Sequence, residues 1–216
     1  MILLGYALSI GYIVLVFLIT WACIKLFHIK EESSRKLVHI SIGFMWPIMY
    51  LTLRGTLHFA LIPIGALFLF FMVSKSKLFS IMTREQGDSL FGIMLYIISI
   101  VIMSSLSLVF PSTVVAYGLG VFAMTFGDGF AALIGKRFGK YTPKILGEKT
   151  VAGSIACVLF TFLGMTFILA IVCCPVNVPK LLVLSFATAI LELCSGKWDN
   201  LTIPLCVMGM AWVFGM

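Results

Sequence analysis

An aspartate lies inside an apolar stretch of this sequence, where a carboxylate is unexpected. Asp128 interrupts the run 122–135 and is flanked by Gly127 and Gly129. A buried carboxylate needs a cation or a hydrogen-bond donor to offset its lost hydration. The two glycines remove side-chain bulk, so a metal ion or a phosphate group can approach the backbone. Asp128 is therefore a candidate catalytic and metal-binding residue; the alternative is a packing acid paired with a neighbouring lysine.

A basic segment follows Asp128 and mixes five Lys and Arg residues with glycines and hydroxyl groups over 135–154. Basic side chains neutralise phosphate charge, and hydroxyl groups at the start of a helix can donate where its dipole favours anions. The segment predicts a polyphosphate site beside Asp128, and an ordinary basic loop is the alternative. The candidate phosphate-binding residues in this region are Gly127, Gly135, Lys136, Gly139, Lys140, Lys149, Thr150, Gly153 and Ser154.

Two earlier clusters of ionisable residues each precede an apolar run. In the first, helical spacing would place Arg35 and His39 on one face, with Lys36 beside them. In the second, Glu85 and Asp88 stand three residues apart and can share a helix face. We take Arg35, His39, Glu85 and Asp88 as candidate catalytic residues and Lys36 as a phosphate-binding candidate, although isolated loop charges are usually solvated.

The last cluster joins the two C-terminal apolar runs. Glu192 would be buried near the membrane surface, and Asp199 and Asn200 stand where the next helix begins. Capping of that helix is one role for Asp199 or Asn200. Coordination of Mg²⁺ or Mn²⁺ by Asp199 or Glu192 is the alternative, because carboxylate and amide oxygens suit hard cations.

The elements that must position these residues are membrane-spanning helices. The chain has 216 residues, of which 62% are hydrophobic and only 11% charged, which excludes a soluble globular protein. It is long enough for about eight crossings with short connections and for one domain, 1–216, in a bilayer. The predicted spans are 3–27, 37–53, 56–74, 90–109, 113–134, 151–173, 179–194 and 201–216. The predicted fold is an all-α transmembrane helical bundle.

Basic residues are distributed unevenly between the two sides of such a bundle. With eight spans, thirteen of the fifteen Lys and Arg residues fall on one side, and only Arg54 and Lys180 lie on the other. Because Lys and Arg accumulate on the cytoplasmic side, both termini are predicted to be non-cytoplasmic, and the candidate residues lie at the cytoplasmic face. The positive charge therefore orients the helices and attracts anionic lipid or nucleotide, and a nucleic-acid partner is not expected.

Four blocks of this sequence resemble the integral-membrane CTP-dependent lipid kinases, which include dolichol, phytol, polyprenol and diacylglycerol kinases and are distantly related to phosphatidate cytidylyltransferase. The blocks are Ser34-Arg-Lys-Leu-Val-His39, Arg84-Glu-Gln-Gly-Asp88, 126–139 with 149–154, and Glu192 with Asp199-Asn200. They occur in the order typical of the family and span nearly the whole chain. One position differs, because Ala152 stands where members typically carry an acid.

The resemblance implies transfer of the γ-phosphate of CTP to the hydroxyl of a lipid alcohol in the bilayer. Asp128 with Asp199 or Glu192 would hold Mg²⁺, the basic residues with Asn200 would bind the nucleotide, and Arg35 and His39 would lie near the reacting hydroxyl. A long-chain isoprenoid alcohol is the preferred acceptor, and diacylglycerol is the second. Cytidylyl transfer to a lipid phosphate is a different reaction that the same residues could serve, and buried acids are also compatible with a small transporter. Both a monomer and a homodimer are compatible with the sequence.

Overall fold

Apolar helices make up most of the molecule in the computed structural model, which describes residues 1–27, 31–74 and 87–216. Its α-helices are α1 (Ile2–Phe27), α2 (Glu31–Gly43), α3 (Met45–Leu53), α4 (His58–Ser74), α5 (Gly87–Val109), α6 (Val114–Phe122), α7 (Gly129–Phe138), α8 (Val151–Ile171), α9 (Val178–Ser195) and α10 (Asp199–Val213). A short antiparallel hairpin, β1 (Lys144–Leu146) and β2 (Lys149–Thr150), lies between α7 and α8. The predicted all-α class is confirmed, with this hairpin as the exception.

Six stretches of described helix are long and apolar enough to cross a membrane: Ile2–Leu26, Ser33–Leu53, Leu90–Val109, Pro111–Tyr141, Val151–Ile171 and Val178–Val213. The last stretch contains two of the eight predicted spans, since α9 and α10 meet at Gly196, where φ is +55°. Another predicted span coincides with the shorter apolar helix His58–Met72. The chain is an integral membrane protein, whereas the number of crossings, the side of each terminus and the single domain stay predictions.

Helix α6 runs through the centre of the bundle, and every residue from Ala116 to Phe122 in it is buried. It packs against α8 and α10, and small residues allow these helices to approach closely. A Cβ on Gly118 would lie 2.7 Å from the Trp46 ring, and one on Gly120 would lie 2.5 Å from the backbone oxygen of Pro204. These glycines therefore set the helix separation in the core.

We expect Gly120→Ala to destabilise the bundle by about 1–3 kcal/mol, because its methyl group meets rigid backbone and α10 must shift. The matched control is Gly209→Ala in α10, where an added Cβ meets nothing within 4 Å. In the control, the gain in helix propensity should leave the melting temperature unchanged or slightly higher. Thermal denaturation of the two variants in detergent measures the difference, and equal melting temperatures would contradict the close contact.

Candidate active site

Asp128 is the last residue of a π-helical turn, Ala123–Asp128, that joins α6 to α7. A π turn holds more residues per turn than an α-helix, and such turns occur frequently at functional sites. This one contacts α2, α8, α9 and α10 in addition to the two helices it joins. Asp128 is 2% exposed. Its carboxylate is therefore buried among the helices that contact this turn.

The carboxylate of Asp128 is met by two groups from α2. Lys36 Nζ lies 2.6 Å from Asp128 Oδ2 and donates a hydrogen bond to it. His39 Nε2 lies 3.8 Å from the same oxygen, which is too far for a hydrogen bond. The His39 ring also lies against Tyr96 of α5, with 4.8 Å between the ring centroids. Asp128 therefore has a lysine partner, as the packing interpretation required, and a histidine beside it that packing does not require.

A second buried carboxylate has a lysine partner of its own. Lys149 of β2 donates a hydrogen bond to Glu192 Oε1, and the Glu192 side chain is only 4% exposed. Burial of the ammonium group disfavours its charged form, but the hydrogen bond and negative charge of Glu192 raise the pKa of Lys149 above its usual value. Lys149 is therefore held as a cation near the start of α8.

The two ion pairs belong to one electrostatic cluster. Lys149 interacts electrostatically with Asp128 and Asp199 as well as with Glu192. Asp199 in turn interacts with Asp128 and with Lys36. The cluster therefore joins residues of α2, the π turn, β2, α9 and α10, and it includes each of the three predicted metal ligands.

Asn200 connects this cluster to α5. Its Nδ2 donates to the backbone oxygen of Gly92 at 3.0 Å, and its backbone N–H donates to Asp199 Oδ1 at 2.7 Å. Its Oδ1 is buried and has no hydrogen-bond partner within the part of the chain that the structure describes. The capping interpretation of Asp199 and Asn200 is wrong, because the N-cap position of α10 is Trp198 and no side chain caps the helix there.

An open cavity of about 410 Å³ lies beside the Lys149–Glu192 pair. It is bounded by α7, the hairpin and the first turn of α8, and Glu192 closes it from α9. Its polar lining consists of Lys136, Glu148, Lys149, Thr150, Ser154 and Glu192. Gly135 and Gly153 also line it. The cavity therefore brings together six of the nine candidate phosphate-binding residues from the basic segment.

Thr150 and Ser154 occupy the start of α8 as expected from the sequence. Thr150 is the N-cap residue, and its Oγ1 accepts a hydrogen bond from the Gly153 backbone N–H at 3.3 Å. Ser154 Oγ is buried without a hydrogen-bond partner among the described residues, although it belongs to a cavity-lining residue. The start of α8 thus carries a buried, unpartnered hydroxyl group near a helix N-terminus, where anions are favoured.

Three glycines in and after the π turn allow close packing. Added Cβ atoms would lie 2.4 Å from Thr161 Oγ1 at Gly127, 2.5 Å from Ile40 at Gly129 and 2.7 Å from Thr150 at Gly139. The space beside Gly127 and Gly129 is therefore filled by neighbouring side chains, so their presence has a packing explanation. Binding of phosphate at Gly127 and Gly139 stays a prediction.

Other predicted residues lie at the margin of the cluster or beyond the described chain. Arg35 interacts electrostatically with His39. Lys140 is exposed and lies over the Tyr141 ring, 4.6 Å from its centroid, and is not part of the cavity lining. Glu85 lies outside the described residues; Asp88 lies in the first turn of α5, but its side chain is also outside them.

The three predicted metal ligands contact other groups of the protein in the structure. Among the described residues, no group of three or more His, Cys, Asp and Glu side chains is arranged to hold a metal ion. Asp128 and Glu192 contact Lys36 and Lys149 instead, while Asp199 contacts the backbone of Asn200. The metal roles of Asp128, Glu192 and Asp199 therefore stay predictions.

Sequence reasoning missed two residues of the site. Tyr96 packs on His39 and has a buried hydroxyl group without a hydrogen-bond partner among the described residues. Glu148 lines the cavity next to Lys149. The position of Glu148 next to Lys149 in the basic segment was a usable signal. A tyrosine in an apolar helix carries no signal that distinguishes a site residue from a core residue.

Comparison with known proteins identifies the class to which this fold and site belong. The Cytidylyltransferase family matches residues 1–196, so the chain belongs to that family. It is 30% identical over 199 residues to phytol kinase of Synechocystis, covering 84% of this chain and 78% of the relative. It is 29% identical over 206 residues to a probable chloroplastic phytol kinase 1 of Glycine max, covering 85% and 67%.

A further relative acts on a different lipid. The chain is 28% identical over 162 residues to CTP-dependent diacylglycerol kinase 1 of Schizosaccharomyces pombe, covering 67% of this chain and 66% of the relative. No solved structure matches the chain. The resemblance to integral-membrane lipid kinases that the four sequence blocks indicated is thereby confirmed.

Proposed function

We propose that this protein transfers the γ-phosphate of CTP to the hydroxyl of a long-chain isoprenoid alcohol at the cytoplasmic face of its membrane. The observation that carries the proposal is the pairing of two buried carboxylates, Asp128 with Lys36 and Glu192 with Lys149, the second of which lines a cavity with cationic and hydroxyl groups. Phosphoryl transfer requires positioned reactants and neutralised charge, and this cluster supplies cations and carboxylates for both.

The cavity is the proposed binding site for the nucleotide phosphates. Lys149 is held in its charged form by Glu192, and Lys136 of α7 also lines the cavity. Ser154 Oγ and the N-terminus of α8 add hydrogen-bond donors suited to phosphate oxygens. The Schizosaccharomyces pombe relative supports CTP as the phosphate donor, since its name specifies that nucleotide.

The acceptor hydroxyl is proposed to lie near Lys36 and His39. Lys36 can stabilise charge on the transferred phosphate, and Arg35 adds a second cation beside His39. His39 Nε2 is buried without a hydrogen-bond partner in the described chain, so it is available to orient or accept the proton of a hydroxyl group. Asp128 would hold both side chains of α2 in place.

Oxygen atoms from two segments support the proposal of a bound Mg²⁺. Asp128 and Asp199 interact electrostatically, and the unpartnered Asn200 Oδ1 adds a neutral oxygen next to Asp199. We propose that Asp128 and Asp199 hold the metal ion and that Asn200 assists, with Glu192 directed to Lys149 instead. Bound Mg²⁺ would neutralise phosphate charge during transfer.

Two further reactions have specific support. Diacylglycerol as acceptor is supported by the Schizosaccharomyces pombe relative, whose name specifies that lipid. Cytidylyl transfer to a lipid phosphate is supported by the family description. The isoprenoid alcohol is preferred because two relatives that cover 84% and 85% of this chain are named as a phytol kinase and a probable phytol kinase.

The two reaction types differ in which phosphate reaches the lipid. We expect label from the γ-phosphate of CTP to appear in the lipid product, and label from the α-phosphate to remain in the nucleotide. Purified protein in mixed micelles, offered phytol, dolichol, diacylglycerol or the lipid phosphate phosphatidate, measures this by extraction of the lipid phase. Transfer of the α-label to a lipid phosphate would contradict the kinase proposal, and the acceptor giving the highest kcat/KM would identify the lipid class.

A further inference from the structure

The end of α7 and the segment that joins it to α8 expose apolar and basic side chains together. The side chains of Phe138, Tyr141, Ile145 and Leu146 are between 48% and 73% exposed. Arg137 lies over the Phe138 ring and Lys140 over the Tyr141 ring. An aromatic ring paired with a cation is suited to the boundary between lipid headgroups and hydrocarbon.

Strand β1 of the hairpin is uncovered on both faces, whereas Thr150 of β2 is buried. Neighbouring side chains of a strand point to opposite faces, yet all three residues of β1 are exposed, including Ile145 and Leu146. An isolated two-stranded hairpin is marginally stable in water. A second surface in contact with the hairpin would therefore be expected to stabilise it.

The hairpin is also tethered to the membrane at both ends. Candidate spans end at Tyr141 and begin again at Val151, so residues 142–150 alone join them. A chain of this length folded back on itself reaches no more than about 15 Å from its anchors. The exposed apolar side chains therefore remain close to the lipid headgroups.

From these observations we infer that the segment Arg137–Leu146 docks onto the anionic surface of the bilayer that holds the protein. Arg137 and Lys140 attract anionic headgroups, while Tyr141, Ile145 and Leu146 enter the headgroup region. Lys144 is paired with Glu148 at 2.9 Å, so that pair contributes little net charge. The inference depends on the membrane location of the chain and does not depend on the proposed reaction.

The test uses Leu146→Trp in the full-length protein, reconstituted in vesicles of phosphatidylcholine brominated on its acyl chains, with or without phosphatidylglycerol. The expected result is stronger quenching than in the parent protein, which has four Trp residues, and a further increase when phosphatidylglycerol is present. High salt should reverse the increase, because it screens the attraction. Ile145→Trp serves as the second variant if the first does not fold.

The matched control adds Arg137→Gln and Lys140→Gln to the Trp variant. Each basic residue near an anionic surface contributes roughly 5-fold to binding, so the pair should weaken docking by about 10- to 30-fold. Quenching equal to that of the parent, with no response to phosphatidylglycerol, would overturn the inference. Quenching that appears only after CTP is added would also overturn it, since the hairpin would then be responding to nucleotide.

Discussion

Asp128→Asn is expected to lower the rate of lipid phosphorylation by at least about 100-fold, which is the effect of removing one preorganised electrostatic group from an active site. Asparagine has nearly the same shape but no charge, so it cannot balance Lys36 at 2.6 Å or help to hold Mg²⁺. The measurement is kcat with saturating CTP and lipid alcohol in mixed micelles, together with the melting temperature of the variant.

The competing explanation is that Asp128 only anchors α2 through its ion pair with Lys36. Under that explanation, activity should fall only as far as the folded fraction falls, and Asp128→Asn and Lys36→Met should have matching effects. If Asp128 acts in the reaction, the folded Asp128→Asn variant should be inactive at temperatures well below its melting point. Removal of one partner leaves a buried charge, so both variants should melt earlier than the parent.

Thr166→Val is a suitable control for the effects of expression and purification on a variant that is changed outside the charged cluster. Thr166 is partly buried in α8, and its hydroxyl donates only to the backbone oxygen of Phe162 in the same helix at 2.8 Å. The change removes a polar group without touching the charged cluster, so kcat should stay near the parent value. A folded Asp128→Asn variant with a rate close to that of Thr166→Val would refute a role for Asp128 in catalysis.

Magnesium dependence can be examined separately from turnover. If Asp128 and Asp199 hold the ion, Mg²⁺ should raise the melting temperature of the parent in the presence of CTP, by mass action on the folded state. Asp128→Asn should abolish that increase even though the variant folds. A persisting increase would exclude Asp128 as a ligand while leaving a charge-balancing role open to the kinetic test.

Hydropathy and charge were sufficient to predict an all-α fold of apolar helices and the position of the basic segment, whereas the span predicted over 37–53 is divided between α2 and α3. Long apolar runs give strong signals because the bilayer fixes their length, and Asp128 was conspicuous because buried charge is rare. The start of α8 was also predictable, since Thr150 precedes an apolar run as N-cap residues do. Each of these features is determined by residues that are close together in the chain, and a sequence pattern describes such local relationships.

Contacts between distant segments could not be obtained in this way. Lys36 and Asp128 are separated by 92 positions, and Lys149 and Glu192 by 43, so their pairing depends on how the helices pack. The π turn that ends at Asp128 has no sequence signal of its own in this chain. The glycines beside Asp128 predict space for a ligand, yet Thr161 and Ile40 fill that space.

Lys149→Met is expected to impair both stability and nucleotide binding, and the two effects can be separated. The variant leaves Glu192 buried at 4% exposure without its cation, which costs about 3 kcal/mol for a pair of this kind. A third of the Lys149 side chain is exposed, which places the expected cost at the low end of the range for buried pairs. Thermal denaturation in detergent measures this loss.

The double variant Lys149→Met/Glu192→Met should recover most of that stability, because replacing a buried ion pair with apolar side chains is often neutral. It should not recover CTP binding, since a charge-assisted hydrogen bond to phosphate has been removed. We expect KM for CTP to rise about 10- to 100-fold in the single and the double variant alike. The double variant therefore reports on nucleotide binding without the complication of an unstable protein.

Lys180→Met is the matched control, because the Lys180 side chain also makes a hydrogen bond to another part of the protein. It lies near the opposite end of α9 from Glu192 and donates to the backbone oxygen of Phe214. Its loss should affect stability but leave KM for CTP unchanged. Recovery of KM together with stability in the Lys149→Met/Glu192→Met variant would mean that Lys149 serves the fold alone, and the cavity beside it would then need another cation to bind the nucleotide.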